Sequence, residues 1–185
     1  FRQELEAGQF LYNASGSIIN SSKRSRGPNS TNSANIALLP VQGELWALWE
    51  AGEAYRVNRK NLNTEGKVEF SSALKGLPFS AHPHIDIKGN IWNFGDISSD
   101  AQGALLIYKL NSVGQLIKSK RINIPRTTYV HDFAMTERYL VFYLPPLFMV
   151  PDANTYIVRF QWLKNKSGIL VIVDKTTFSV NQIEM

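Results

Sequence analysis

The run GELWALWE, residues 43–50, places a turn glycine in front of a short stretch of alternating, aromatic-rich chain, and that arrangement reads as a β-strand leaving a tight turn. It returns at Gly89 before NIWNF, at Gly114 before QLIKSKRI and at Gly168 before ILVIV. Gly43 and Gly89 stand 46 residues apart, near the roughly 40 to 50 residues of a propeller blade. The next intervals, 25 and 54, break a strict period. Strands are expected at Asn35–Leu39, Glu44–Glu50, Asn90–Phe94, Ala104–Leu110, Gln115–Ile122, Tyr139–Leu144, Tyr156–Trp162 and Ile169–Val173. No amphipathic helix is evident beyond a turn or two near Phe1 to Gly8. Many short antiparallel strands joined by such turns fit an all-β propeller or a sandwich, and the pattern alone leans modestly to the propeller.

Working outward, residues 13–33 are rich in Ser, Asn, Gly and Arg and lack apolar periodicity, which predicts a long loop inside one domain. With 185 residues and 44% hydrophobic content the chain can bury a single core, and 11% aromatics argue against disorder. Phe1 in place of a methionine, and a stop at Met185 within alternating sequence, read as an internal fragment: residues 1–185 as one partial domain.

The net charge of +5 is spread over Lys23/Arg24/Arg26, Arg56/Arg59/Lys60 and Lys118/Lys120/Arg121. Short clusters of this kind belong on solvated loops and strand edges, so no nucleic-acid partner is expected. With no cysteine, thiolate nucleophiles, disulfides and cysteine zinc sites are excluded. The most apolar run, Tyr139 to Pro151, is too short to span a bilayer and carries Pro145 and Pro146. No signal peptide is visible.

The three histidines fall in two words, PFSAHPHID with His82 and His84, and TYVHDFAMTERYLVF with His131. There is no GxSxG elbow, P-loop or Rossmann glycine fingerprint, so metal chemistry leads among catalytic ideas. Imidazole nitrogen suits divalent iron, zinc and copper alike. His82 and His84 would share a face of an extended chain, but Pro83 between them marks a strand start or edge, which favours His82 over His84. Taken singly, each histidine reads as an ordinary surface or core residue.

The surrounding words carry more. NSANIALLPVQGELWALWEAGEAYRVNRKNLNTEG (residues 32–66), FSAHPHID and HDFAMTERYLVFYLPPL, in that order and spacing, closely resemble three blocks of the carotenoid cleavage oxygenase family. The resemblance is clear from about Asn32 to Pro151. It implies a seven-bladed β-propeller, incomplete in this chain, whose axis holds one iron(II) ion per full-length subunit on four histidines, with dioxygen as cosubstrate. His82 matches the metal histidine of one block and His131 that of another, while His84 matches none. Glu50 takes the place of a glutamate that holds an iron-bound histidine, here expected to be His131. A ligating imidazole needs its far N–H held by a carboxylate or carbonyl, which agrees with that assignment.

The implied activity is an oxidoreductase one: insertion of both oxygen atoms across a carbon–carbon double bond of a carotenoid or apocarotenoid, giving two carbonyl products. Two further histidines are expected downstream, so this piece alone is expected to be inactive, with raw strand edges that aggregate. Trp49, where stilbene-cleaving relatives often carry lysine, favours a hydrophobic polyene as substrate. Pro146–Pro151 is expected to aid peripheral membrane contact, or to pack on a neighbouring blade. The expected location is cytoplasmic and peripheral to membrane, or a plastid in a plant. The alternatives are a stilbene-cleaving or retinoid-isomerising relative, a propeller glycosidase using Asp86, Asp96 and Asp132, and a non-catalytic propeller binding module.

Overall fold

A computed structural model describes residue 32 and residues 34–98, 103–149 and 160–185. The expected turn near Phe1 to Gly8, nearly all of the 13–33 loop, the Lys23/Arg24/Arg26 group and the ends of the expected 146–151 and 156–162 segments lie outside them.

The chain folds as three successive four-stranded antiparallel sheets, an all-β partial propeller. The first is a meander of β1 (Ala37–Val41), β2 (Glu44–Leu48), β3 (Tyr55–Val57) and β4 (Thr64–Lys67). The second runs β5 (His84–Ile85), β6 (Ile91–Asp96), β7 (Gly103–Leu110) and β8 (Leu116–Ile124). The third is β9 (Phe133–Met135), β10 (Tyr139–Leu144), β13 (Ile169–Asp174) and β14 (Val180–Glu184), with a hairpin of β11 (Leu147–Met149) and β12 (Phe160–Trp162) inserted between β10 and β13.

The middle sheet explains the most apolar strand. Along β7 the side chains alternate between faces. Leu105 and Ile107 join the core shared with the third sheet, whereas Leu106, Tyr108 and Leu110 join the core shared with the first. A strand covered on both faces must be apolar throughout, and only Lys109 in it is not buried. Trp46, Phe70, Phe79 and Tyr108 pack edge-on or tilted between sheets one and two, with centroids 5.1 to 6.3 Å apart. Phe94 of sheet two packs edge-on against Phe133 and Phe142 of sheet three, which stack on each other.

The outer strand β8 carries Lys118, Lys120 and Arg121 along an edge that is unpaired among the described residues, where charge deters strand addition. Arg56 on β3 pairs with Glu44 at 3.3 Å. Arg59 and Lys60 lie in the turn after β3, so the two groups occupy strand edges and a loop in the ordinary way.

In up-and-down sheets of this kind the first strands of successive sheets run in the same direction. The residues just before β5 and β9, and those just after β2, thus emerge at one end of the fold. The β5–β6 and β9–β10 turns emerge at the other.

Candidate metal centre

His82 precedes β5, His131 precedes β9, and Glu50 follows β2, so three sequence-distant residues meet at that shared end. One ligand atom from each lies within 4.8 Å of the others. The His82 and His131 rings are 4.5 Å apart, tilted by 56°.

Each side chain is set by its own local chemistry. The chain before His82 is tied to the middle sheet: Ser80 N–H donates to the Phe94 carbonyl at 2.7 Å, and Asn93 Nδ2 donates to the Ser80 carbonyl at 2.8 Å. Ser80 Oγ in turn donates to Asn93 Oδ1 at 2.9 Å and accepts from the His82 N–H at 3.4 Å. Asn93 is wholly buried, so this small network is fully committed to positioning.

The chain before His131 is tied to the third sheet. Arg126 Nη2 donates to the carbonyls of Leu144 and Ser167 at 3.1 and 2.7 Å, and Thr128 Oγ1 donates to that of Pro145 at 3.0 Å.

Glu50 is anchored from the side of Glu53, which is 4% exposed. Glu53 holds Lys67 at 2.7 Å and accepts from Gly76 N–H at 2.7 Å. Burial pushes its carboxyl up, but those bonds and the Lys67 charge outweigh it and leave it below its usual value. Phe79 N–H, donating to the Gly52 carbonyl at 2.9 Å, joins this segment to the one that carries His82.

Within the cluster, His131 Nδ1–H donates to Glu50 Oε1. Tyr129 O–H donates to the same oxygen at 2.6 Å and lies 3.0 Å from His131 Nδ1. That pairing uses Nδ1 of His131 and leaves Nε2 as the atom that can face a metal. His82 Nε2 is buried and, among the described residues, has no hydrogen-bond partner. A buried, unsatisfied imidazole nitrogen is costly unless something with positive charge takes its lone pair. The donor set fits a divalent transition metal: neutral nitrogens, one of them backed by a carboxylate.

His84 is not brought to this cluster. Its Nε2 faces Asp132 Oδ1 at 3.5 Å, and its ring packs edge-on against Phe133 at 4.5 Å. Trp49, half-buried, stands immediately before Glu50. Tyr129 was not singled out from the sequence, although its place two residues before His131 puts both on one face of extended chain. Ser80 and Asn93 gave no signal, because the bond between them joins residues whose proximity depends on the sheet.

The carboxylates considered for a glycosidase do not form a pair. Asp86 is consumed by the β5–β6 turn, accepting from Trp92 Nε1, Asn90 Nδ2 and the N–H groups of Lys88 and Asn90. Burial pushes its carboxyl up, but those four donors bring it down to about 2. Asp96 is at the far end of β6, its carboxyl raised by burial, and Asp132 is engaged with His84.

Comparison with known proteins matches residues 1–184 to the family described as retinal pigment epithelial membrane protein. The chain is 29% identical to the apocarotenoid-15,15'-oxygenase of Synechocystis over 168 residues, which are 82% of this chain and 34% of that protein. It is 28% identical to the lignostilbene-alpha,beta-dioxygenase isozyme III of Sphingomonas paucimobilis, over 79% of this chain and 30% of that one. The crystal structure of the Pseudomonas brassicacearum lignostilbene dioxygenase superposes on 98% of this chain and 38% of its own, with a TM-score of 0.79 at 26% identity. The chain thus spans about a third of the length of the curated relatives it matches. From the extent of the family match, the relatives and the shared fold, this chain belongs to the retinal pigment epithelial membrane protein family, the carotenoid cleavage oxygenases.

Proposed function

We propose that this chain supplies two histidines of an iron(II) centre in a dioxygenase that cleaves a carbon–carbon double bond of a carotenoid or apocarotenoid. The observation that carries this reading is the unsatisfied, buried Nε2 of His82 beside a His131 whose other nitrogen is held by Glu50. His82 and His131 would hold the metal through Nε2, and the ion supplies a redox-active Lewis acid able to bring dioxygen to an alkene. Glu50 keeps the proton of His131 on Nδ1, and Tyr129 orients the Glu50 carboxylate by donating to it. Trp49, half-buried next to Glu50, offers an apolar aromatic wall for a polyene. Metal analysis of the full-length protein, followed by turnover of an apocarotenoid in 18O-labelled dioxygen, tests the reading. Bound iron and label in the carbonyl products are expected. Iron with an unlabelled, uncleaved product would assign a retinoid-isomerising reaction instead, cleavage of a hydroxystilbene alone would assign the stilbene branch, and absence of any metal would leave a binding module.

The substrate class implies a membrane source, and the inserted hairpin has the right surface for one. Phe148 on β11 is 42% exposed and Trp162 on β12 is 61% exposed, with Lys164 and Lys166 just beyond. An exposed indole beside lysines suits the interface of an anionic bilayer. Among the described residues no helix is long and apolar enough to cross a membrane. In vesicle flotation of the full-length protein, Leu147→Glu with Phe148→Glu is expected to release most of the bound protein. Unchanged flotation would remove this hairpin from the membrane contact.

A further inference from the structure

At the end of the fold away from His82 and His131, a cavity of about 490 Å3 opens between the β5–β6 and β9–β10 turns. Its floor is the indole of Trp92, 1% exposed, whose Nε1–H donates to Asp86 at 3.0 Å. Lys109 Nζ and Lys175 Nζ each lie 5.1 Å from the centre of the Trp92 ring, and Lys88 lines the same space.

Each ammonium gains from the indole face, but the two like charges are gathered on one ring. Among the described residues neither Lys109 nor Lys175 has a carboxylate within ion-pair distance. Among the described residues the Lys175 ammonium donates only to the Thr136 carbonyl, at 3.2 Å. Asp86 and Glu137 line the same space, and Asp86 already accepts four donors. Burial, with the Lys109 charge adding to it, holds Lys175 below its usual value against the opposing pull of Asp86 and Glu137. Two exposed isoleucines line the same space, Ile85 at 57% and Ile87 at 93% exposure. Two lysines gathered on one indole beside exposed isoleucines are what an anionic head with an apolar chain would satisfy.

We propose that this cleft binds an amphiphilic anion, with a phosphate or carboxylate head between Lys109 and Lys175 and an apolar chain against Ile85 and Ile87. The site is separate from the metal centre and uses none of its residues.

Isothermal titration of the full-length protein with monomeric dodecyl phosphate, inorganic phosphate and uncharged dodecyl maltoside tests it. Dodecyl phosphate is expected to bind tightest. Lys109→Gln with Lys175→Gln is expected to weaken it by about tenfold or more, the scale of a lost charge-assisted bond. Ile87→Ser, at a side chain too exposed to affect folding, is expected to weaken dodecyl phosphate by about threefold or more through lost apolar contact while sparing inorganic phosphate. Iron content should be the same in all variants, so this result and the metal assignment stand or fall separately. Equal binding of dodecyl phosphate by the lysine variant, or of dodecyl maltoside by the wild type, would overturn the proposal. Inorganic phosphate binding as tightly as dodecyl phosphate would overturn the amphiphile and assign a free anion. Should the lysine variant fail to fold, an Ile87→Ser protein that binds dodecyl phosphate like the wild type would overturn it alone.

Discussion

His82→Ala in the full-length protein is expected to remove iron to below detection and to abolish product formation, and His131→Ala to do the same. Loss of a carboxylate or carbonyl behind a metal-bound histidine weakens metal binding by roughly 10- to 100-fold, so loss of a ligating nitrogen must exceed that. Glu50→Gln supplies the internal scale. The amide oxygen still accepts the Nδ1–H of His131 but no longer carries charge, so an intermediate loss, about 10- to 100-fold, is expected. His84→Ala is the control, because its Nε2 faces Asp132 and its ring packs on Phe133, away from the cluster. It should keep full iron. Metal analysis of the four purified variants reads the order directly. Full iron and turnover in either His82→Ala or His131→Ala would show that the ligands are wrongly assigned, and loss of iron in His84→Ala would show that His82 is not the histidine of its pair that matters.

Why those two histidines were legible in the sequence, while much around them was not, follows from what each kind of residue depends on. Strands of the buried sheets announce themselves because burial imposes composition. Tyr139–Leu144 is an expected strand whose ends agree with β10, and Ala104–Leu110 falls one residue short of β7. Strands that bury little leave no such trace. TEGK in β4 and VNQIE in β14 are edge strands, β14 exposed along its whole length, and neither shows an apolar alternation to detect. The inner strands β5 and β9 are only two and three residues long, too short for any period.

The glycine spacing has a similar explanation. Gly43 and Gly89 both occupy the first turn of their sheets, with φ of 85° and 78°, and their separation is the true repeat. Gly114 lies in the third turn of the second sheet, and Gly168 just before β13, so they belong to other positions within the repeat. The irregular intervals arose from mixing turns and, before Gly168, from the hairpin inserted between β10 and β13.

At the site, the family blocks point to His82, His131 and Glu50, but only the fold shows what holds them. Tyr129 reaches a carboxylate 79 residues away in sequence, and the Ser80–Asn93 exchange crosses from an irregular segment to β6. Such bonds connect polar residues with no composition or spacing to betray them.

Gly95→Ala is expected to destabilise the protein by at least about 3 kcal/mol, at or beyond the upper end of ordinary overpacking. A Cβ built on Gly95 would sit 1.9 Å from the Pro78 carbonyl oxygen and 2.8 Å from its carbon. That oxygen belongs to backbone, and it is pinned: Tyr108 O–H donates to it at 2.9 Å from a buried ring, while Phe79 and Ser80 N–H are bonded on either side to Gly52 and Phe94. Nothing flexible is available to give way. Either the Pro78–Ser80 segment lifts off β6, or β6 bends away from β7, and each breaks a buried hydrogen bond worth about 1 to 3 kcal/mol if left unsatisfied. Gly43→Ala is the comparison. It forces alanine into a left-handed conformation at φ 85° but meets nothing within 4 Å, so about 1 kcal/mol is expected. Denaturant midpoints of the two variants separate steric collision from backbone preference, and equal midpoints would refute the close approach of Pro78 to Gly95. The displaced segment is the one that carries His82 four residues after Pro78, so Gly95→Ala should also lower iron retention in whatever fraction stays folded. A stability loss with iron binding untouched would mean that His82 is positioned by Ser80 and Asn93 alone.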